Sequence, residues 1–297
     1  MEFVEGKLKE EKWFGGMVFP RTLLPSHGCE DGATTFSPSF HKHEGGETSL
    51  AEAVRANRVW LYEQLSRHCA ILFRGFDVRC AEDFRSVVEA FGWEEMDYGN
   101  GDAPRTKVID RVYTSNEAPP ELLIDFHHES SNREEFPSKI FFFCMEPPRE
   151  GGETSIIPSH IIVEKMEEAM PEVVHKLGTV GAIILVRNPN DNASMKEFRR
   201  TWQQILETED KVEAKKLAWF FTIVGYNGKL DDMSVVSFGD GTPFPDEAIK
   251  NYRKIRDENK VNIRWEKGDI LLLDNHAAQH SRRPGKPPRI ILASMCK

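Results

Sequence analysis

Apolar residues follow two kinds of pattern along this chain, and the change comes after Gly92. Before it, helical spacing prevails. Ser49-Leu50-Ala51-Glu52 has the form of a capping box, and Leu50, Val54, Leu61 and Leu65 follow at helical intervals. Phe84, Val87, Val88 and Phe91 share one helical face, with Gly92 where a C-cap glycine belongs. Ala70–Phe73 between them is a short apolar strand. Beyond Gly92 strands dominate: Lys107–Tyr113, Leu122–Glu129, Lys139–Cys144 and Thr154–Ile157, separated by Pro, Asn and Gly. Ser159 caps a helix through Met170, and Pro171 opens another through Leu177. Val180–Val186 is apolar again. Residues 190–216 read as helical and highly charged, and Trp219–Gly225 as a strand leading into the hairpin signal Asn227-Gly228. Asp246–Glu258 is amphipathic on Ile249, Tyr252 and Ile255. The chain closes with strands at Val261–Trp265, Ile270–Leu273 and Arg289–Met295.

Many short strands with a few peripheral helices predict a mainly β (α+β) fold, a sandwich or jelly roll, and not alternating βαβ units. Residues 1–48 are rich in Gly, Pro, Ser and charge and poor in periodicity, so they read as an irregular N-terminal arm. His41-Lys42-His43 within it reads as a pair of solvated histidines. No repeat or linker divides residues 49–297, which are expected to form a single domain.

Composition narrows the function. A chain of 297 residues with 39% hydrophobic and 29% charged residues is an ordinary globular composition. A net charge of −9 disfavours a broad nucleic-acid surface. No apolar run approaches the roughly 20 residues that span a bilayer, and the charged N-terminus lacks the apolar core of a signal peptide. The five cysteines (Cys29, Cys69, Cys80, Cys144, Cys296) are dispersed, which argues against a disulfide framework or a thiolate zinc site. These features predict a cytoplasmic protein acting on a small molecule.

The candidate chemistry centres on Ile-Asp-Phe-His-His-Glu-Ser at 124–130. Side chains alternate along a strand, so His127 and Glu129 share a face and His128 takes the other. An imidazole beside a carboxylate supplies two corners of a metal site. A second histidine from elsewhere would complete the two-histidine, one-carboxylate set of non-haem Fe(II) oxygenases. Ten histidines among 48 acidic residues make a chance match to so short a motif expected, and a strand-end histidine bonded to a surface glutamate is the plain alternative. A zinc hydrolase is disfavoured, because the helical H-E-x-x-H frame is absent.

Gly268-Asp269-Ile-Leu-Leu-Leu-Asp274-Asn275-His276-Ala-Ala-Gln-His280-Ser-Arg-Arg-Pro284 carries further histidines. Paired with F-H-H-E, this stretch resembles the taurine-dioxygenase (TauD/TfdA-type) branch of the Fe(II)/2-oxoglutarate oxygenases, and most of all its clavaminate-synthase-like members from plants. The likeness runs from about Ala70 to the C-terminus. It includes F-R-G-F (73–76), F-P-S-K (136–139), G-G-E-T (151–154), F-G-D-G (238–241) and P-P-R (287–289). The resemblance implies a double-stranded β-helix, or jelly roll. It implies Fe(II) held by His127, Glu129 and His280, with His276 at the variable position of the D-N-x-A motif.

By the same resemblance, 2-oxoglutarate is the co-substrate, with Arg289 gripping its far carboxylate and Thr154 adding a hydroxyl donor. An arginine suits that task because its planar fork binds a carboxylate bidentately. The implied reaction oxidises an unactivated C–H bond of a small molecule and releases succinate and CO2. Arg282 and Arg283 read either as substrate contacts or as turn arginines. Two departures stand out. Taurine-type members carry a second arginine four residues after the first, where this chain has Ala293, and Glu129 replaces the commoner aspartate. The stretch between Lys216 and Trp219 also reads as shorter than in the plant relatives. A core strand missing there would leave a jelly roll of impaired activity, the alternative to a working oxygenase. Substrate specificity is expected from loops within 98–123 and 186–216.

Overall fold

The computed structural model describes residues 3–26, 49–98, 105–130, 135–186 and 234–297. Two sheets carry the architecture. The larger has eight strands, in the order Phe3–Gly6, Arg21–Pro25, Ala70–Phe73, Ile270–Asp274, Lys139–Glu146, Ile290–Cys296, Val112–Thr114 and Lys107–Ile109. The smaller has four: Val261–Ile263, Thr154–Pro158, Ala278–Arg282 and Ile124–His127.

Continuous apolar runs such as Ile270-Leu271-Leu272-Leu273 arise because the large sheet is covered on both faces, so both phases of the side-chain alternation must be apolar. Ile71, Phe73, Phe141, Phe143, Ile270 and Leu272 point to an outer core with Leu61, Leu65, Phe84 and Phe91 from the helices Arg58–His68 and Ala81–Phe91. Their neighbours Ala70, Leu72, Ile140, Phe142, Leu271 and Leu273 point the opposite way, onto Ile156, Val261, Ile263 and Ala278 of the small sheet. Each large side chain so buried contributes about 1.5–3 kcal/mol. Offset aromatic pairs such as Phe84–Phe143, with ring centroids 5.2 Å apart, add to this. Ile157, on the outer face of the small sheet, packs with the helices Ser159–Ala169 and Asp246–Asn259 through Ile162, Met166, Ile249 and Tyr252.

The inner eight strands form a jelly roll. Val112–Thr114, Ile290–Cys296, Lys139–Glu146 and Ile270–Asp274 lie on one side, and the four strands of the small sheet on the other. The chain changes sheet between successive strands of this set except from Thr154–Pro158 to Val261–Ile263, which are antiparallel neighbours. The long excursion through residues 159–260 is therefore inserted between two adjacent strands. All eight of these strands are among the described residues. The Lys216–Trp219 stretch, the expected helix at 190–216, the strand at Trp219–Gly225, Asn227-Gly228 and His41-Lys42-His43 lie outside the described residues.

Three expectations need correction. Residues 3–25, placed in an irregular arm over 1–48, contain four strands. Arg21–Pro25 runs parallel to Ala70–Phe73, with Thr22 and Leu23 buried, and Phe3–Gly6 pairs with it. Strands of three to five residues are too short to show a period, and Gly15-Gly16, both at positive φ, form a hairpin turn and not a loop. Lys107–Tyr113 is a hairpin of two short strands turning at Asp110-Arg111, where Arg111 has φ +65°. Ser234–Phe238 is an additional strand, paired with Ala182–Val186.

Candidate metal centre

Register brings the two ends of the chain together. Ala278–Arg282 lies between Thr154–Pro158 and Ile124–His127, placing His280 opposite His127 on one side and Ile156 on the other. The strand pairing of 124–127 stops at His127, yet the alternation of faces holds for two more residues. Glu129 Oε2 lies 3.8 Å from His127 Nε2 and 3.4 Å from His280 Nε2. Ligand atoms of these three residues all fall within 4.8 Å of one another, and they are the cluster of this kind among the described residues. The imidazole centroids are 4.3 Å apart, and Phe142 packs 5.2 Å from the His280 ring.

Hydrogen bonds orient His127 and Glu129. His127 Nδ1 lies 2.7 Å from the Asp125 carbonyl oxygen. A carbonyl only accepts, so Nδ1 carries the proton and Nε2 offers its lone pair to the centre. Asn275 fixes the carboxylate from behind. Its Oδ1 accepts from Glu129 N–H at 2.8 Å, and its Nδ2 donates to the carbonyls of Glu129 at 3.0 Å and Pro137 at 2.7 Å. The D-N and F-P-S-K motifs thus serve to hold the loop that presents Glu129. Arg105 donates from Nη2 to Glu129 Oε1 at 2.7 Å, and its guanidinium lies over the Tyr98 ring at 4.3 Å. Glu129 Oε2 is buried without a hydrogen-bond partner among the described residues.

The electrostatics follow from burial and these neighbours. Burial opposes the Glu129 anion, but Arg105 and the two imidazoles outweigh it and hold the carboxyl well below its usual range. Burial and the neighbouring His127 push His280 down to about 4, so its imidazole is neutral at physiological pH. At His127 burial is overcome by Glu129 and the Asp125 carbonyl, and its pKa is raised. Two imidazoles and one anionic oxygen, with a buried orphan acceptor at their midst, fit a divalent cation.

His128 faces away as alternation requires, with Nε2 2.9 Å from Ser159 Oγ, and is pushed down to about 4 by burial and His127. His276 is exposed, its ring tilted against Phe136 with centroids 5.2 Å apart. Arg289 is partly buried. Its Nε donates to the Gly152 carbonyl at 2.9 Å, and Nη2 lies 3.4 Å from Thr154 Oγ1, which also accepts from Trp265 Nε1 at 3.1 Å. Among the described residues Arg289 has no acidic partner, and burial together with Arg282 brings it down to about 10. It is still a cation at neutral pH. The Gly-Gly of G-G-E-T makes this possible: a side chain at Gly151 would stand 2.3 Å from the Pro284 oxygen, and one at Gly152 3.2 Å from Arg289 Cδ.

Other motif residues are structural. Arg282 is buried and donates to the carbonyls of Asn116, Ala118, Pro119 and Leu122, so it holds a loop and does not reach for substrate. Arg74 of F-R-G-F grips the fully buried Asp269 at 2.7 and 3.0 Å. Ala293 is buried in the large sheet, pairing with Phe142 and Tyr113. Arg105 and the work of Asn275 were missed by sequence reasoning. Asn275 lay inside a recognised motif, while Arg105 sits in a polar stretch with no periodicity to mark it.

Comparison with known proteins places the chain in a family. A family model described as taurine catabolism dioxygenase TauD, TfdA family matches residues 33–295. The clavaminate synthase-like protein At3g21360 of Arabidopsis thaliana is 34% identical over 334 aligned positions, covering 99% of this chain and 98% of the relative. That alignment is longer than the chain, so the relative carries residues that this chain lacks. The dapdiamide synthesis protein DdaC of Enterobacter agglomerans is 25% identical, covering 78% of this chain and 83% of the relative. The crystal structure of PvcB from Pseudomonas aeruginosa has the same fold, with a TM-score of 0.54 at 16% identity over 94% of this chain and 86% of that one. With a match spanning most of its length and a relative aligned end to end, the chain belongs to the taurine catabolism dioxygenase TauD, TfdA family.

Proposed function

We propose that this dioxygenase binds Fe(II) through His127 Nε2, Glu129 Oε2 and His280 Nε2, and binds 2-oxoglutarate beside it with Arg289 and Thr154 on the far carboxylate. The observation that carries the reading is the convergence of three ligand atoms within 4.8 Å, from residues 153 positions apart in sequence at the extremes (127 and 280). The donor set supports iron: borderline nitrogen and hard oxygen leave the metal redox-active, with three coordination positions open. When bound, the metal and co-substrate supply the oxidising chemistry, coupling O2 and decarboxylation to succinate and CO2 with oxidation of an unactivated C–H bond.

The protein's part is binding and orientation. The Asp125 carbonyl keeps the proton of His127 on Nδ1. Asn275 holds the Glu129 backbone, and Phe142 covers one side of His280 against water. Arg289, fixed by the Gly152 carbonyl, supplies the cation for an incoming dicarboxylate. The substrate is a small molecule, and Ala293 leaves no arginine at that position to grip a sulfonate. Purified protein supplied with Fe(II), O2 and 2-oxoglutarate should form succinate in an iron-dependent manner, slowly without substrate and faster with an active fraction of a metabolite extract. A folded, iron-loaded protein that forms none would leave the non-catalytic binding protein as the better account. No helix among the described residues is long and apolar enough to cross a membrane.

A further inference from the structure

Glutamate at the carboxylate corner poses a problem that aspartate does not. It has one more rotatable bond, and a carboxylate with both oxygens free can take a cation with one oxygen or with two. Two-oxygen binding would consume one of the three positions that co-substrate and O2 need. We propose that Arg105 is the positioning residue that limits Glu129 to one-oxygen ligation, and so keeps the third open position available. This rests on the assignment of the metal site above.

The geometry divides the two carboxylate oxygens between two tasks. Oε1 is engaged by Arg105 Nη2 at 2.7 Å. Oε2 is the oxygen facing the imidazoles, 3.4 Å from His280 and 3.8 Å from His127. Arg105 is itself held in place, with only 5% of its side chain exposed and its guanidinium carbon 4.3 Å from the centre of the Tyr98 ring. A surface arginine would swing away with solvent, whereas this one is confined by packing. Its charge opposes a divalent cation, so it does not raise metal affinity; its contribution is to direction. Charge-assisted pairs are the stronger class of hydrogen bond, and this one must compete with a cation for Oε1.

The test uses the full chain, with Arg105→Met and Arg105→Lys. Anaerobic titrations give Co(II) affinity and its d–d bands, which shift when a second carboxylate oxygen replaces a water ligand. Titration of 2-oxoglutarate into the Fe(II) form gives co-substrate affinity. Met should leave metal affinity within about threefold of wild type, shift the Co(II) bands, and lower 2-oxoglutarate affinity at least about tenfold. Lysine can still donate to Oε1 and should restore most of that loss. If Met does not fold, as judged by near-ultraviolet circular dichroism, Lys against Tyr98→Leu gives the same contrast. Unchanged bands and co-substrate affinity would overturn the proposal, as would parallel loss of both affinities in Met and Lys, the sign of a merely structural role. Wild-type protein that binds neither Fe(II) nor 2-oxoglutarate would instead refute the metal-site assignment itself.

Discussion

Asn275→Ala should be among the costliest single polar truncations away from the proposed metal ligands. The side chain is fully buried and makes three hydrogen bonds, to Glu129 N–H, the Glu129 carbonyl and the Pro137 carbonyl, at 2.7–3.0 Å. Each is worth ~1 kcal/mol net, and leaving the Glu129 N–H buried without an acceptor adds ~1–3 kcal/mol. The sum is ~4–6 kcal/mol, a large part of the ~5–15 kcal/mol that stabilises a typical domain. Urea unfolding of the metal-free variant should show this as a lower midpoint at unchanged slope. Because the lost bonds hold the backbone that presents Glu129, metal affinity should fall as well. His276→Ala, at the next position and on the exposed side of the same turn, should shift stability by no more than ~0.5 kcal/mol. A loss below ~1 kcal/mol in Asn275→Ala would refute the claim that this amide clamps the metal-site loop.

Three further outcomes follow from other parts of the molecule. Arg289→Ala should weaken 2-oxoglutarate binding ~10- to 100-fold, the loss of a charged hydrogen-bonding partner worth ~1.5–3 kcal/mol, while isothermal titration shows metal affinity little changed. Asp269→Ala leaves Arg74 without its buried carboxylate and should destabilise by ~3–5 kcal/mol in thermal or chemical unfolding. His68 is buried, with Nδ1 2.7 Å from the Val18 carbonyl and Nε2 facing Arg21 at 3.3 Å. Burial, aided by the Arg21 and Arg67 cations, keeps its pKa below the ordinary value despite that carbonyl. The unfolded chain therefore binds a proton near pH ~6.5 that the folded chain refuses. Stability from this residue is complete above that pH and declines as pH falls through it. His68→Gln should narrow the stability difference between pH 8 and 5.5, measured by urea unfolding.

How much was legible in the sequence depended on length and period. The helices at Leu50 and Ala81 announced themselves by spacing and caps, and the capping box of Ser49 and Glu52 is formed as read. The core strands showed as apolar runs. The strands of residues 3–25 did not, because three residues cannot display a period, and the partner of Arg21–Pro25 lies some fifty positions on. The H-x-E alternation was legible because a strand's faces are fixed locally. That His280 would meet it came from motif resemblance, not from pattern, since register across distant strands is a tertiary matter. Arg105 was invisible for the same reason: nothing in its neighbours states that the chain will fold it onto Glu129. Arg282 looked like a turn arginine in contact with solvent, and only the fold shows four carbonyls converging on it.

The account stands on one centre formed by His127, Glu129 and His280, and the most direct measurement is anaerobic addition of Fe(II) and then 2-oxoglutarate to the purified protein. It should bind one iron per chain and develop a visible metal-to-ligand charge-transfer band, which His280→Ala abolishes and His276→Ala leaves intact. A well-folded wild-type protein that gives no band, or a His280→Ala variant that keeps it, would contradict the account.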